Sequence, residues 1–505
     1  MAIKTFAAID IGSFELEMGI YELAGKNQAR CIDQLRHMIP LGRDAFSDEK
    51  ISYTMVDEMC RVLKNFAEIM NSYHVDDYRA YATSAMREAK NNQIILDQIK
   101  VRTGLDVKLI SNSEQRLLSY KAIAEKEADF NKMIQKATAI VEVSSGSMQM
   151  SLFDKDALVS TQNLGLGALR LYETLSGVQA AEETRLAILE EMVDNELFTF
   201  RKMYLKDRTI KNLIGTGKYI RHLAVWMSPD RDKSFISAST FMEFYKKLSS
   251  MGLDDIEDAF GVNKEYAALM LPSTLIYKRV MELTGAETFW IPGIQMCDGM
   301  AAEYGEEKNL AKFGHNFSDD IIATARNMAK RYKCHISHNQ ALEKYALAIF
   351  DSMKKFHGLG KRERLLLQIA VNLHSCGKFI SMRDTSECAY NIIMSTEIIG
   401  LSHEEREVIA NTVKYNLKPF QYEEARENMM LIAKLVAILR LANSMDRSHN
   451  QKLWDSKVQL KENELIVTTA YDGDITLERL AFEQKVDFFE EIYGVRPVLK
   501  QKRRV

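Results

Sequence analysis

Apolar and other residues alternate along FAAIDIGSFELEMGIYEL (6–23) and again along IVEVSSGSMQMSLF (140–153), and both runs break at a cluster of small residues. Period-two patterning on either side of a short break predicts a β-hairpin, because the turn needs residues that tolerate unusual dihedrals. Setting Asp10 over Glu142 superposes apolar strand, carboxylate, small residues with glycine and serine, and a second strand. Self-similarity of this kind predicts an internal duplication, with two related α/β lobes that each send one loop into a shared cleft.

The intervening pattern fits that plan. The first half continues with a helical period near 49–73 and a strand and turn in YRAYATSAMREAKNN (78–92), which enters a helix with Thr83 and Ser84 as candidate caps. A strand at DVKLI (106–110) and a helix over 111–128 follow. The second half has strands over 138–162, a turn NLGLGALRLYE (163–173), helices from about 181 to 206, and strand, glycine turn and helix in NLIGTGKYIRHLAVW (212–226). Alternating strands and helices predict an α/β class to about residue 310. Beyond about 315 only helix-period runs remain, such as HNQALEKYALAIFDSMKKF and ENMMLIAKLVAILRLANSMD. From about 452 the pattern reads strand, turn, strand, helix, strand, a small α+β appendage ending in the basic tail KQKRRV. The expected division is 1–125, 126–312, 313–448 and 449–505.

Composition adds limits rather than chemistry. A chain of 505 residues is too long for one core. A formal net charge of -3 advertises neither nucleic-acid nor membrane binding, and no apolar run is long enough to span a bilayer. The start MAIKTFAAIDIG lacks the features of a secretory signal, so a soluble, cytoplasmic protein is expected. Six scattered cysteines without a C-x-x-C pair argue for reduced thiols rather than a disulfide framework or cysteine-rich zinc site.

The turn Ser144, Ser145, Gly146, Ser147 suits an ordinary hairpin. It also suits a loop whose backbone N–H groups close around a phosphate while a strand-end carboxylate, Asp10 or Glu142, holds a metal ion. The duplication favours the second reading. Gly215, Thr216 and Gly217 stand at a helix N-terminus, which favours anions. Between Arg201 and His222 seven Lys or Arg face one acidic residue, Asp207, an excess that suits a solvated face or a path for a polyanion.

In order, AIDIGS (8–13), YATSAMREAKN (81–91), LISNSEQRLLSY (109–120), IVEVSSGSMQM (140–150), LGLGALRL (164–171), IGTGKYIRHLA (214–224) and RLANSMDRSHNQK (440–452) resemble the exopolyphosphatase and guanosine pentaphosphate phosphohydrolase family, Ppx/GppA. The resemblance spans essentially the whole chain. It implies duplicated actin-like, ribonuclease-H-like lobes followed by a helical domain similar to the HD phosphohydrolases. It also implies Mg²⁺ and phosphate between the lobes, hydrolysis of terminal phosphate from polyphosphate or pppGpp, and a homodimer. Carried over, Asp10 and Glu142 hold the ion. Gly12, Ser13, Ser84, Ser144, Ser145, Gly146, Ser147, Gly215, Thr216 and Gly217 cradle phosphate, and Arg87 clamps it.

Several letters depart from the family pattern. Where the second loop usually reads D-I-G-G-G-S-T-E, this chain has Glu142, Ser144, Ser145, Met148 and Gln149. Ser13, Phe14 and Glu15 stand where S-N-S is usual. In I-S-G-x-E-E-A-R-L the second glutamate is the family's general base; Glu114 falls on the first and Gln115 on the second. An amide orients water but takes no proton at neutral pH, and losing a positioned base costs ~10²–10⁴ in rate. In the helical domain His338 and His374 fit two HD ligand places, while Ser375 and Asn443 replace the two carboxylates, so no metal is expected there. The sequence thus leaves two readings: a Mg²⁺-dependent phosphohydrolase of weakened activity, and a non-catalytic polyphosphate or alarmone sensor.

Overall fold

The computed structural model describes residues 3–25, 28–126, 130–176, 182–221, 235–422 and 428–502. The predicted helix after Arg221, residue 181 of the helical stretch beginning there and the last three residues of the basic tail lie outside these. The chain forms two compact units, Met1–Phe317 and Ser318–Val505.

The first unit contains two sheets of matching topology. In the first, β1 (Lys4–Ile11), β2 (Glu15–Leu23), β3 (Arg30–Met38), β4 (Asp77–Ala82) and β5 (Val107–Leu109) lie in the order β3-β2-β1-β4-β5. The second is built from β6 (Thr138–Val143), β7 (Met148–Asp154), β8 (Ala157–Leu164), β9 (Asn212–Thr216), β10 (Phe235–Ser237) and β11 (Thr288–Trp290), in the order β10-β11-β9-β6-β7-β8. Each sheet begins with an antiparallel meander and then passes to parallel partners: β1 pairs β4 and β6 pairs β9. The predicted duplication is therefore a duplication of fold, differing by the extra edge strand β10.

The two turns share their closing backbone hydrogen bond. Gly12 N–H donates to Glu15 O at 3.1 Å, and Ser144 N–H donates to Ser147 O at 2.9 Å. Ile11 then faces Leu16 and Val143 faces Met148 across their hairpins. Each sheet has its own apolar core. Phe14, at the tip of the first turn, is 3% exposed and belongs to the core of the second lobe. The helix Met296–Glu307 returns to pack on β1 and β2, with Met300, Ala301 and Tyr304 against Phe6, Ala8 and Tyr21.

Local departures from the predicted elements have simple causes. The helical stretch expected near 49–73 is the helix Tyr53–Ser72, and a further helix, Leu41–Asp48, precedes it and ends where Glu49 takes a left-handed φ of 56°. Thr83 precedes the helix Ser84–Glu88 without a side-chain capping bond; its hydroxyl instead donates to Ile11 O at 3.3 Å, fastening β4 to the first turn.

In the second unit, the helices Ile336–Ser352, Lys361–Leu373, Thr385–Ser395, His403–Leu417 and Met429–Ser444 follow one another along the chain. Beyond them β12 (Lys457–Lys461), β13 (Glu464–Thr469) and β14 (Arg496–Gln501) form a sheet in that order, with the helix Thr476–Tyr493 between the last two strands. Among the described residues no helix is long and apolar enough to cross a membrane.

Candidate active site

Between the lobes of the first unit is a cavity whose floor is made by the two hairpin turns. Asp10, Gly12, Ser13, Phe14, Thr83 and Ser84 line it from the first lobe. Glu142, Ser144, Ser145, Thr216, Gly217 and Lys218 line it from the second, and Gln115 and Ser119 come from the helix Asn112–Lys126. Ten of the sequence-predicted site residues are thereby brought together.

Gly146, Ser147, Gly215 and Glu114 are not among the residues that line it. Gly146 packs beneath the Phe46 ring, which a Cβ there would meet at 2.7 Å. Ser147 closes its own turn by donating its N–H to Ser144 Oγ at 3.3 Å. Gly215 makes room for Phe289, whose ring would lie 2.4 Å from an added Cβ. Glu114 is the N-terminal staple of its helix: its carboxylate accepts from Ser111 N–H at 2.8 Å and pairs with Lys108 at 2.9 Å. It is not among the residues lining the cavity.

Gln115 is wired into a chain of hydrogen bonds. Arg87 donates to Ile110 O at 2.8 Å and to Gln115 Oε1 at 3.4 and 3.5 Å, and also bonds Asn112. With Oε1 so engaged, Gln115 Nε2 donates to Glu142 Oε1 at 3.4 Å, while Ser119 Oγ donates to Glu142 Oε2 at 2.7 Å. One residue further on, Arg116 is 1% exposed and donates through Nε to Gln149 Oε1 at 3.0 Å. Glu88, the carboxylate next to Arg87, is taken by Arg170, which forks onto both its oxygens at 2.7 and 2.8 Å and donates to Gly146 O at 2.9 Å.

Glycine is required at two places in these loops. Gly217 has φ +117° and lies against Val143 O, which an added Cβ would approach to 2.5 Å. Gly167 is pressed on the second turn, where a Cβ would sit 2.2 Å from Gly146 C and 2.3 Å from Ser145 O. Because these neighbours are backbone, Gly167→Ala is expected to cost about 1–3 kcal/mol in urea denaturation and to loosen phosphate binding. Gly165→Ala, with nothing within 4 Å, should stay within about 0.5 kcal/mol.

Charge in the cavity is concentrated around Lys218. Its Nζ lies 2.8 Å from Glu15 Oε1, 3.7 Å from Glu17 Oε2 and 3.8 Å from Asp10 Oδ2. Burial works against its charge, but Glu15, Asp10 and Glu17 outweigh that and raise its pKa. Burial pushes Asp10 up to about 7 despite Lys218, with Glu17, Glu15 and Glu142 adding to the rise. Burial also raises Glu142, against the Ser119 hydrogen bond and the Arg116 charge. Glu15 feels the same desolvation, yet Lys218 brings it below the usual carboxylate range.

The sequence reading placed Lys218 only within a basic run. Arg201, Lys202, Lys206, Arg208 and Lys211 of that run are exposed, whereas Lys218 turns inward; His222 lies outside the described residues. A sequence signal was present, since Glu15 and Glu17 are i, i+2 on one strand face and Glu17 stands opposite Asp10 in the hairpin register. Ser119 and Arg116 carried no signal beyond their helix.

The cavity offers carboxylate oxygens to a divalent ion. Asp10 is 5% exposed and its Oδ1 has no hydrogen-bond partner. Glu142 lines the same cavity. Mg²⁺ is commonly held by one or two carboxylates, with water and phosphate oxygens completing its shell, and these two residues fit that arrangement.

In the second unit, His338 Nδ1 is 2.7 Å from Asp446 Oδ2, and His338 stacks on His449 with ring centroids 3.9 Å apart. His374 Nδ1 donates to Val371 O at 2.7 Å and its ring meets His338 edge-on at 5.2 Å. Asp446, one turn beyond Asn443, is thus the carboxylate that reaches His338, and the sequence reading did not single it out.

Two hairpin-bearing sheets of one topology, closing on a cavity of hydroxyls, glycine turns and carboxylates, define an actin-like two-lobed fold. Within that class the chain belongs to the Ppx/GppA phosphatase family, whose profile matches residues 21–299; the profile of Ppx/GppA phosphatase, domain III, matches residues 322–484. A guanosine-5'-triphosphate,3'-diphosphate pyrophosphatase from Photobacterium profundum is 24% identical over 484 residues, 92% of this chain and 91% of that one. An Aquifex aeolicus Ppx/GppA family member has a similar fold (TM-score 0.52, 19% identity, covering 61% of this chain and 99% of that one). So does an exopolyphosphatase from Cytophaga hutchinsonii ATCC 33406 (TM-score 0.54, 17% identity, covering 61% and 100%).

Proposed function

We propose that this protein is a slow phosphoanhydride hydrolase that removes terminal phosphate from inorganic polyphosphate or guanosine pentaphosphate. The observation that carries the reading is the convergence of both hairpin turns, Ser84 and the Thr216–Gly217 turn on one cavity. The hydroxyls of Ser13 and Ser84 and the Lys218 ammonium would meet a bound phosphate, while the Ser144 hydroxyl braces its own turn, and Gln115 would orient the attacking water. Glu142, braced by Ser119 and Gln115, and Asp10 would hold Mg²⁺, which when bound supplies charge neutralisation on the transferred group. Arg87 acts one step removed, by fixing the Gln115 amide.

The second reading, a binder without turnover, is favoured by one feature: both ends of the Gln115 side chain are engaged by Arg87 and Glu142. Phosphate release from long polyphosphate and from pppGpp with Mg²⁺, measured beside binding of the same ligands, separates the two. Release above the uncatalysed rate supports the hydrolase; micromolar binding without release supports the sensor; neither result removes both. The same proposal carries lobes at 1–125 and 126–312, an HD-like helical domain at 313–448 without metal, a small α+β domain at 449–505, a homodimer and a cytoplasmic location.

A further inference from the structure

We propose that Lys218 is a resident cation of the cleft, an ammonium from the second lobe that neutralises carboxylates of the first and excludes a free divalent ion until phosphate brings one in. The inference rests on the phosphate-binding reading of the cavity. It begins in the register of the first hairpin, where Asp10 stands directly opposite Glu17. Like charges paired across strands destabilise a sheet, and these carboxylates are 5% and 0% exposed, with Glu15 beside them at 5%. Lys218 touches all three within 3.8 Å, and Arg36 adds a second positive charge at 3.7 Å from the other Glu17 oxygen.

The arrangement leaves one opening. Asp10 turns Oδ2 toward Lys218, while its buried Oδ1 has no partner and the residue shares the cavity with Glu142. A divalent ion on Oδ1 would sit on the same carboxylate as the ammonium. Repulsion between a dication and an ammonium at that range, in a partly desolvated site, is many times thermal energy. Glu15 is held by Lys218, and Glu17 is held by Lys218 through Oε2 and by Arg36 and Gln34 through Oε1. A phosphate chain changes the balance because its oxygens attract the ammonium and the divalent ion together, so the ion binds as a complex with the anion.

Mn²⁺ titration of the full chain, followed by the electron paramagnetic resonance of the free ion, tests this without any turnover. Wild type is expected to show no saturable micromolar site with Mn²⁺ alone, and with tripolyphosphate added to retain Mn²⁺ on the protein side of an ultrafiltration membrane beyond a protein-free tripolyphosphate control. Lys218→Met should bind Mn²⁺ alone at least about tenfold more tightly, and adding Asp10→Asn to that variant should abolish the gain. Equal Mn²⁺ affinity in wild type and Lys218→Met would overturn the proposal. So would a micromolar Mn²⁺ site in anion-free wild type that Asp10→Asn removes, and that measurement stands even if Lys218→Met does not fold. Absence of phosphate release would count against the hydrolase reading and leave this titration unaffected.

Discussion

Gln115→Glu is expected to raise phosphate release by about ten- to a hundredfold, recovering part of the ~10²–10⁴ that a positioned base contributes. The replacement is close to isosteric, so the new carboxylate would take over contacts already in place. One oxygen would accept from Arg87, which stands 3.4–3.5 Å from Gln115 Oε1. The other would meet Glu142, to which the amide now donates at 3.4 Å. Arg87 favours the ionised form and Glu142 opposes it, and two carboxylates at such range share a proton readily. That opposition moves the new group from the ordinary glutamate range toward neutrality, where a general base works best. Steady-state release from polyphosphate, with binding measured in parallel, is the check. A rate unchanged in the variant would show that proton removal at this position is not what limits turnover.

The second large effect concerns acid stability of the helical unit. Burial, with His338 beside it, lowers the His374 pKa from 6.5 to about 3. Its folded form is therefore neutral over the whole physiological range, while the unfolded chain takes up a proton below 6.5. The stability that His374 contributes is complete above pH 6.5 and is lost as pH falls toward 3. By pH 5 the loss amounts to about 2 kcal/mol from this residue. His449, also lowered by burial and by His338, to about 4, acts in the same direction. Urea unfolding between pH 8 and pH 5 should show a steep decline that becomes shallower by about one proton in His374→Leu. Equal slopes in both proteins would exclude His374 as the source.

Much of the architecture was legible because duplication and alternation leave marks in a linear sequence. The carboxylate and small-residue pattern around Asp10 and Glu142 predicted twin turns, and the turns share their closing backbone hydrogen bond. Ser13, Ser84, Gln115, Ser144 and Thr216 are legible in the sequence as site residues, and all line the cavity. What escaped depends on side-chain direction. Glu114 and Gln115 are neighbours in sequence, yet one caps its helix and the other faces the cleft, since adjacent helical residues point about 100° apart. Gly146 and Gly215 also leave room for the rings of Phe46 and Phe289, a packing need that the linear sequence does not show. Lys218 looked like one charge in a basic run, because an ion pair formed across a cleft has no periodicity to betray it. His338 was recognised and its partner was not, since Asp446 lies 108 residues away.

Phe14 bears on how the cleft can work. Its backbone belongs to the first lobe and its ring to the apolar interior of the second, where it lies 6.3 Å from the Tyr266 ring. Withdrawing a buried phenyl ring into water costs about 1.5–3 kcal/mol. Wide parting of the lobes therefore carries a penalty that a polar residue at this place would not impose. A cleft pinned in this way favours ligands that enter by one end over ligands that must be engulfed, and a linear phosphate chain, presenting one terminus at a time, suits such an entrance.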